Sequence, residues 1–188
     1  MRRLFDILVS AAALIVTSPI LLAGAIAIVL ESPGSPVFKQ RRVGKDGVDF
    51  NLFKLRTMVK NAEQKGAGLV VEAGDSRILR CGNLLRRLSI DELPNLINVL
   101  KGDMSIIGPR PTVRAQVEKY DEHQRRRLAV KPGITGWAQV RYAYGASLHD
   151  ATEKLQYDLY YVKNHSLFLD IMILIDTVQV VLLGKGAR

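Results

Sequence analysis

Between Ile7 and Leu30 this chain carries twenty-four residues without a single charged side chain. Such a block narrows the possible folds sharply, because roughly 20 apolar residues suffice to cross the hydrocarbon core of a bilayer. It is interrupted at its centre by Ser18-Pro19 and flanked by cations, with Arg2 and Arg3 before it and Lys39, Arg41, Arg42 and Lys45 after it. Pro19 lacks an amide donor and its ring presses on the carbonyl four residues earlier. Ser18 is suited to bond a carbonyl released in this way. Cations at both ends favour keeping both ends on the cytoplasmic side. The expected arrangement over residues 1–32 is therefore a re-entrant membrane helix-break-helix that enters one leaflet and turns back at Ser18-Pro19. A spanning helix that tolerates its proline is the alternative. A cleaved signal peptide fits poorly, since the run exceeds the usual ~7 to 15 residues and no small-x-small cleavage site precedes the basic stretch.

Residues 33–188 supply about 155 positions, enough for one core and a single compact catalytic or binding domain. The formal charge of +9 favours anionic partners: phospholipid headgroups, phosphorylated substrates or nucleic acid. The basic stretches lack interleaved aromatic residues that would stack bases, so nucleic acid is not expected. A single cysteine, Cys81, excludes an internal disulfide framework and fits a reducing compartment. His123, His149 and His165 lie too far apart in sequence for a zinc site.

Glu31-Ser-Pro-Gly-Ser-Pro36 reads as a turn out of the membrane segment. Val37–Arg42 and Val48–Arg56 then form a hairpin around Gly44-Lys-Asp-Gly47, with Lys54 and Arg56 on one face of the second strand. Seven basic and two acidic residues between Lys39 and Lys60 give this region a cationic surface. Asn61–Asp75 reads as a loop near a site. Helical patterns follow over 77–87, 112–130, 151–164 and 167–183, with Arg125-Arg-Arg127 as a solvated or headgroup-facing surface. Lys131–Gly136 reads as a loop leading to Trp137. The last helix is expected to lie flat at the interface or pack in the core. The fold class is α+β, mainly helical, with a short β-hairpin and interfacial amphipathic helices.

The densest chemistry lies in Arg86-Arg-Leu-Ser-Ile-Asp-Glu-Leu-Pro94, followed by Lys101-Gly-Asp103 and Gly108-Pro-Arg-Pro111. Ser89 and Glu92 match a capping box and Pro94 suits a first helical turn, which puts Asp91 and Glu92 at a helix amino end. The dipole there favours the ionised carboxylate. An ionised Asp91 can attack phosphorus if cations suppress its repulsion from an anionic substrate. Arg86, Lys54, Arg56 and Arg110 are the candidates, and guanidinium groups suit phosphate because they bond it through two donors at once. Paired carboxylates also suit Mg2+, which binds through one or two of them together with substrate phosphates. Taken alone, Asp-Glu at a helix start is an ordinary cap. No P-loop, GxGxxG fingerprint, nucleophile elbow or HExxH occurs.

Ser89-Ile-Asp-Glu-Leu-Pro-Asn-Leu-Ile-Asn-Val-Leu-Lys-Gly-Asp-Met-Ser105 with Gly108-Pro-Arg-Pro111 closely resembles the signature of bacterial monotopic phosphoglycosyl transferases, the polyprenyl-phosphate sugar-1-phosphate transferases. The similarity extends through Phe53-Lys-Leu-Arg-Thr-Met58, Lys131-Pro-Gly-Ile-Thr-Gly-Trp-Ala-Gln139 and Tyr157-Asp-Leu-Tyr-Tyr161. It implies transfer of a sugar-1-phosphate from a UDP-sugar to undecaprenyl phosphate, with release of UMP, at the start of lipid-linked glycan or exopolysaccharide assembly. By position, Asp91 matches the nucleophile, Glu92 its partner associated with Mg2+, Arg110 the phosphate-binding arginine, and Ser18-Pro19 the break in a re-entrant helix. Lys54, Arg56 and Arg86 match family-typical basic positions. The resemblance also implies a monotopic enzyme of the bacterial inner membrane, in contact with its phospholipids and with the catalytic domain on the cytoplasmic face. The C-terminal half is similar to catalytic domains of larger members, so the chain is either a short enzyme or an excised core. A homodimer is one open arrangement, and the sugar is left open. Competing readings are a membrane scaffold without catalysis, a nucleic-acid binder and a metal-dependent lipid phosphatase, which would release phosphate rather than UMP.

Overall fold

The computed structural model describes residues 2–64, 74–142 and 148–182. Much of the loop expected over Asn61–Asp75 lies outside the described residues. The protein is mainly helical, with two small two-stranded sheets and one long apolar helix at its amino end. That helix, α1 (Arg2–Glu31), takes in the whole uncharged block and runs on through Ser18 and Pro19, where the sequence leads one to expect a break between two helices. Thirty residues make it about 45 Å long. Ser18 Oγ donates to the Ile15 carbonyl at 2.8 Å, the acceptor that Pro19 cannot serve, and Thr17 Oγ1 donates to Ala13 O at 2.7 Å.

The burial of α1 is inverted relative to a soluble helix. Its buried residues are Asp6, Ser10, Gly24 and Ile28, while Leu8, Ile15, Val16, Leu22 and Leu30 are exposed. Ile28 apart, polar and small groups are the buried ones and large aliphatic ones face outward, which suits a lipid environment. Both ends of α1 are fastened to the rest of the chain. At the amino end Arg2 pairs with Asp170 at 2.8 Å and Arg3 donates to Val99 O and Leu100 O. Asp6 accepts from Ser105 Oγ at 2.9 Å and from Ile106 N at 3.0 Å. At the carboxyl end Glu31 accepts from the amides of Arg80 and Cys81 at 2.6 and 2.9 Å, the first residues of helix α2 (Arg80–Arg87).

The hairpin forms as expected. β1 (Val37–Val43) pairs antiparallel with β2 (Asp49–Leu55) in the register Val37 to Leu55 through Val43 to Asp49. The loop between them places Asp46 at φ 55°. After α2, a three-residue 3-10 turn (Ile90–Glu92) leads into α3 (Asn95–Lys101), which Gly102 ends at φ 94°. β3 (Ser105–Ile107) pairs in parallel with β4 (Gly133–Thr135), a sheet absent from the sequence reading, where Lys131–Gly136 was a loop. The glycines explain that pairing. A Cβ on Gly133 would lie 2.1 Å from Gly108 N and one on Gly136 would lie 2.1 Å from Gly108 O, so only bare backbones approach this closely.

The helix expected over 112–130 is instead two short ones, α4 (Arg114–Val117) and α5 (Glu122–Arg125), followed by a 3-10 turn (Arg126–Ala129). A capping box divides them: Asp121 accepts from Gln124 N at 2.7 Å and the Gln124 side chain reaches back to Asp121 N. α6 (Trp137–Arg141), α7 (Leu148–Asn164) and α8 (Leu167–Leu182) complete the described chain. One core gathers Leu52, Val99, Met104, Ile106, Tyr161 and Ile173. A second joins Ile28 of α1 to Leu55, Leu79 and Leu85. α8 divides its faces: Leu169 and Ile173 are buried, whereas Leu167, Phe168, Ile171, Ile175 and Val178 are exposed in a stripe at helical spacing.

Candidate active site

Four elements bring the site together. Lys54 comes from β2, Asp91 and Glu92 from the turn between α2 and α3, Arg86 from the end of α2, and Arg110 from the loop after β3. Ser89 takes φ 55°, which ends α2 and turns the chain into the 3-10 turn. The capping box expected from Ser89 and Glu92 does not form, because Glu92 is engaged elsewhere. Its Oε1 accepts from Lys54 Nζ at 2.9 Å and from Arg110 Nη2 at 2.7 Å, and its Oε2 lies 3.4 Å from Arg110 Nη1. Asp91 makes no hydrogen bond or ion pair among the described residues.

The electrostatics differ accordingly. Burial raises the Asp91 carboxyl to about 6, reinforced by the charge of Glu92 and opposed by Lys54, Arg86 and Arg110. Burial also pushes Glu92 upward, but the charges and hydrogen bonds of Arg110 and Lys54 prevail and hold it well below the usual carboxylate range. Burial lowers Lys54, against the pull of Glu92. The helix dipole invoked for Asp91 contributes little, since α3 begins only at Asn95 and the intervening turn has three residues. Asp91 is nevertheless mostly ionised at neutral pH.

The backbone carrying Arg110 is held by its carbonyls, because prolines 109 and 111 offer no amides. Pro109 O accepts from Gly133 N at 2.9 Å, Arg110 O from Arg127 Nη2 at 2.5 Å, Pro111 O from Arg42 Nη1 at 3.3 Å and Thr112 O from Val43 N at 2.9 Å. Arg42 itself is braced by Gln40 Oε1. Arg42, Lys54, Glu92, Asn95, Arg110 and Pro111 line one pocket.

The match to known proteins covers this whole architecture. The family model described as bacterial sugar transferase matches residues 1–184. The chain belongs to the bacterial sugar transferase family. The UDP-N-acetylgalactosamine-undecaprenyl-phosphate N-acetylgalactosaminephosphotransferase of Aeromonas hydrophila is 47% identical over all of this chain and 45% of its own length. An uncharacterized sugar transferase of Bacillus subtilis (strain 168), EpsL, is 46% identical over all of this chain and 90% of its own length. The UDP-glucose:undecaprenyl-phosphate glucose-1-phosphate transferase of Escherichia coli (strain K12) is 40% identical over all of this chain and 41% of its own length. The chain thus spans less than half the length of the Aeromonas and Escherichia relatives and most of the Bacillus one.

Within this bacterial sugar transferase, Arg56 stands apart from the other expected site residues. Its guanidinium donates to Ser32 O, Ser32 Oγ and Pro33 O, which fastens the end of β2 to the turn after α1. Leaving the strand after Leu55 removes Arg56 from the alternation that was to align it with Lys54. Arg86 is half-buried and close enough for its charge to act on Asp91. Cys81 is an inert thiol, pushed up to about 11 by burial and by Glu31.

The dyad fits Mg2+ by its donor set. Asp91 is unpaired and Glu92 Oε2 has only the 3.4 Å contact, while no group of three potential ligands of the His, Cys, Asp and Glu kinds occurs among the described residues. Two carboxylates completed by substrate phosphates are a common way of holding this ion.

The sequence reading missed Asn98, which sets the register of β2 over the dyad. It is fully buried in α3, accepts from Phe53 N at 3.0 Å, donates to Asn51 O at 2.7 Å and reaches Asp103 Oδ2 at 3.2 Å. These bonds occupy the edge of β2 that faces away from β1 and hold the strand immediately before Lys54. Asn98→Leu should leave Phe53 N–H and Asn51 C=O without these partners, at a cost of about 3 kcal/mol for the two part-buried bonds together. In a thermal unfolding scan in detergent the midpoint should drop by about 10 °C.

Proposed function

We propose that this protein transfers a sugar-1-phosphate from a UDP-sugar to undecaprenyl phosphate through a covalent intermediate on Asp91, with release of UMP. The observation that carries this is the division of labour in the dyad. Glu92 absorbs Lys54 and Arg110 at 2.9 and 2.7 Å, and Asp91 beside it is left ionised and unbonded. A carboxylate that is not saturated by hydrogen bonds keeps its nucleophilicity.

In the first step an Asp91 oxygen forms a bond to the phosphorus that bears the sugar. The bond from that phosphorus to the bridging oxygen breaks and UMP departs with the electron pair. In the second, a phosphate oxygen of undecaprenyl phosphate attacks the same phosphorus, the acyl phosphate bond breaks and the Asp91 carboxylate is restored. Arg110 and Lys54 lie where they offset the charge of the phosphates, and Arg86 lowers the repulsion around Asp91. Mg2+, held by Glu92 and Asp91, would supply further neutralisation of phosphate charge. Nothing in these steps requires a second copy of the chain.

We propose for the membrane disposition that α1 enters one leaflet and returns by bending at Ser18-Pro19 in the bilayer, leaving a monotopic protein whose catalytic domain faces the cytoplasm of the inner membrane. The attachments of Arg2, Arg3 and Asp6 at one end of α1 and of Glu31 and Ser32 at the other support it. A helix crossing the bilayer would carry one set of these polar partners to the far side. Tags fused before Arg2 and after Arg188 should both resist external protease in spheroplasts and be cleaved after permeabilisation. A tag cut from outside while the other stays protected would overturn the re-entrant arrangement.

The function is tested by incubating the protein with UDP-glucose, UDP-galactose and UDP-N-acetylgalactosamine, each with and without undecaprenyl phosphate. UMP release that needs the lipid phosphate is the expected outcome. Phosphate release instead, or no turnover of any sugar nucleotide, would defeat the proposal.

A further inference from the structure

We infer that Arg127 and Asp158 form a buried positioning pair that aims Arg110 at the reacting phosphates, acting through the Arg110 carbonyl. This rests on the phosphoglycosyl transfer reading for its consequences in turnover, though not for its structural part. Arg127 belongs to a basic run read from sequence as a solvated surface. In the structure Arg125 and Arg126 are exposed, as that reading had it, whereas Arg127 is only 8% exposed.

Every arm of its guanidinium has an acceptor. Nε donates to Asp158 Oδ2 at 2.7 Å, Nη2 to Arg110 O at 2.5 Å, and Nη1 reaches Tyr120 Oη at 3.4 Å. Asp158, in α7, is 3% exposed. A buried ion pair offers little as a stabilising device, because desolvation offsets most of the attraction and an apolar pair often does as well. What an apolar pair could not do is donate to a specific backbone carbonyl. That carbonyl belongs to the one residue of Pro109-Arg-Pro111 with its own freely rotating φ. With φ of both neighbours set by proline rings, fixing the Arg110 carbonyl fixes the root of the side chain that meets Glu92 at 2.7 Å. The rigid fork of arginine makes it the side chain able to bond a carboxylate and a carbonyl together. Lysine retains the charge opposite Asp158 but has no planar fork to reach both.

The experiment is a double-mutant cycle on the full chain in detergent, measuring UMP release for Arg127→Lys, Arg110→Ala and the double variant. If Arg127 acts through Arg110, Arg127→Lys should lower kcat/KM about tenfold alone and leave it nearly unchanged when Arg110 is already alanine. Equal losses in both backgrounds, or no loss in the first, would overturn the proposal.

Hydrogen–deuterium exchange supplies an arm that needs no turnover. In Arg127→Lys the peptide spanning Ile107–Val113 should exchange about tenfold faster while α3 keeps its protection. Unchanged exchange, or a uniform increase along the chain, would count against positioning. Should the unsubstituted protein release no UMP from any UDP-sugar, the transfer reading fails by itself, and the exchange arm still decides the role of the pair.

Discussion

Asp91→Asn should abolish UMP release, by about four orders of magnitude or more, while the protein remains folded and able to bind its UDP-sugar. An amide cannot form the acyl phosphate, so the loss should fall on kcat. The fold should not suffer. Burial raises the carboxyl to about 6, meaning that the native state favours its protonated form, and the strain of keeping it charged increases as pH rises through that value. At neutral pH a neutral isostere removes this strain, and Asp91 has no hydrogen bond to lose. The thermal midpoint should therefore hold or rise. Residual turnover at the level of a merely positioning residue would reassign the nucleophile.

Glu92→Gln should act differently, lowering kcat/KM about 100- to 1000-fold and moving the pH profile. Glu92 holds Lys54 and Arg110 in place through charge, and an amide leaves both cations without their counterion. The sign of the pH effect is fixed by the causes of the Asp91 shift. In the unsubstituted protein kcat/KM should fall as pH drops through about 6, where Asp91 takes up a proton. After burial, the charge of Glu92 is what raises that value, while Lys54, Arg86 and Arg110 lower it. Removing the Glu92 charge should shift the acidic limb to lower pH even as the rate falls. A limb that stays or moves upward would show that the two carboxylates are not coupled as their placement implies.

The parts of this site legible in the sequence were those in which chemistry is concentrated locally: Asp91-Glu92, the Pro-Arg-Pro loop, and Lys54 at the inward end of a hairpin strand. What escaped was set by partners distant in sequence. Arg127 looks like its solvated neighbours until Asp158, thirty-one positions on, closes over it. Asn98 reads as one more polar residue on a short helix, and its bonds to Asn51 and Phe53 have no local signature. Strands of three residues, such as β3 and β4, are too short for period-two alternation to register, although Gly108, Gly133 and Gly136 marked their close approach. Arg56 followed the strand pattern on paper but left the strand one residue early. Ser18 illustrates the opposite case: its bond to the Ile15 carbonyl follows from Pro19 alone.

The long apolar helix and the dyad belong to one arrangement. Asp6 of α1 grips Ser105 and Ile106 in β3, and β3 leads directly into the loop that carries Arg110. The apolar helix and Arg110 therefore share a support.

The covalent step is tested most directly by intact-protein and peptide mass spectrometry after incubation with a UDP-sugar in the absence of undecaprenyl phosphate. The Asp91 mechanism predicts an adduct of one sugar phosphate, located on Asp91, that disappears when undecaprenyl phosphate is added and never forms in Asp91→Asn. Lipid-linked product made at full rate with no adduct, and with no exchange of labelled UMP into the UDP-sugar before the lipid is added, would contradict it.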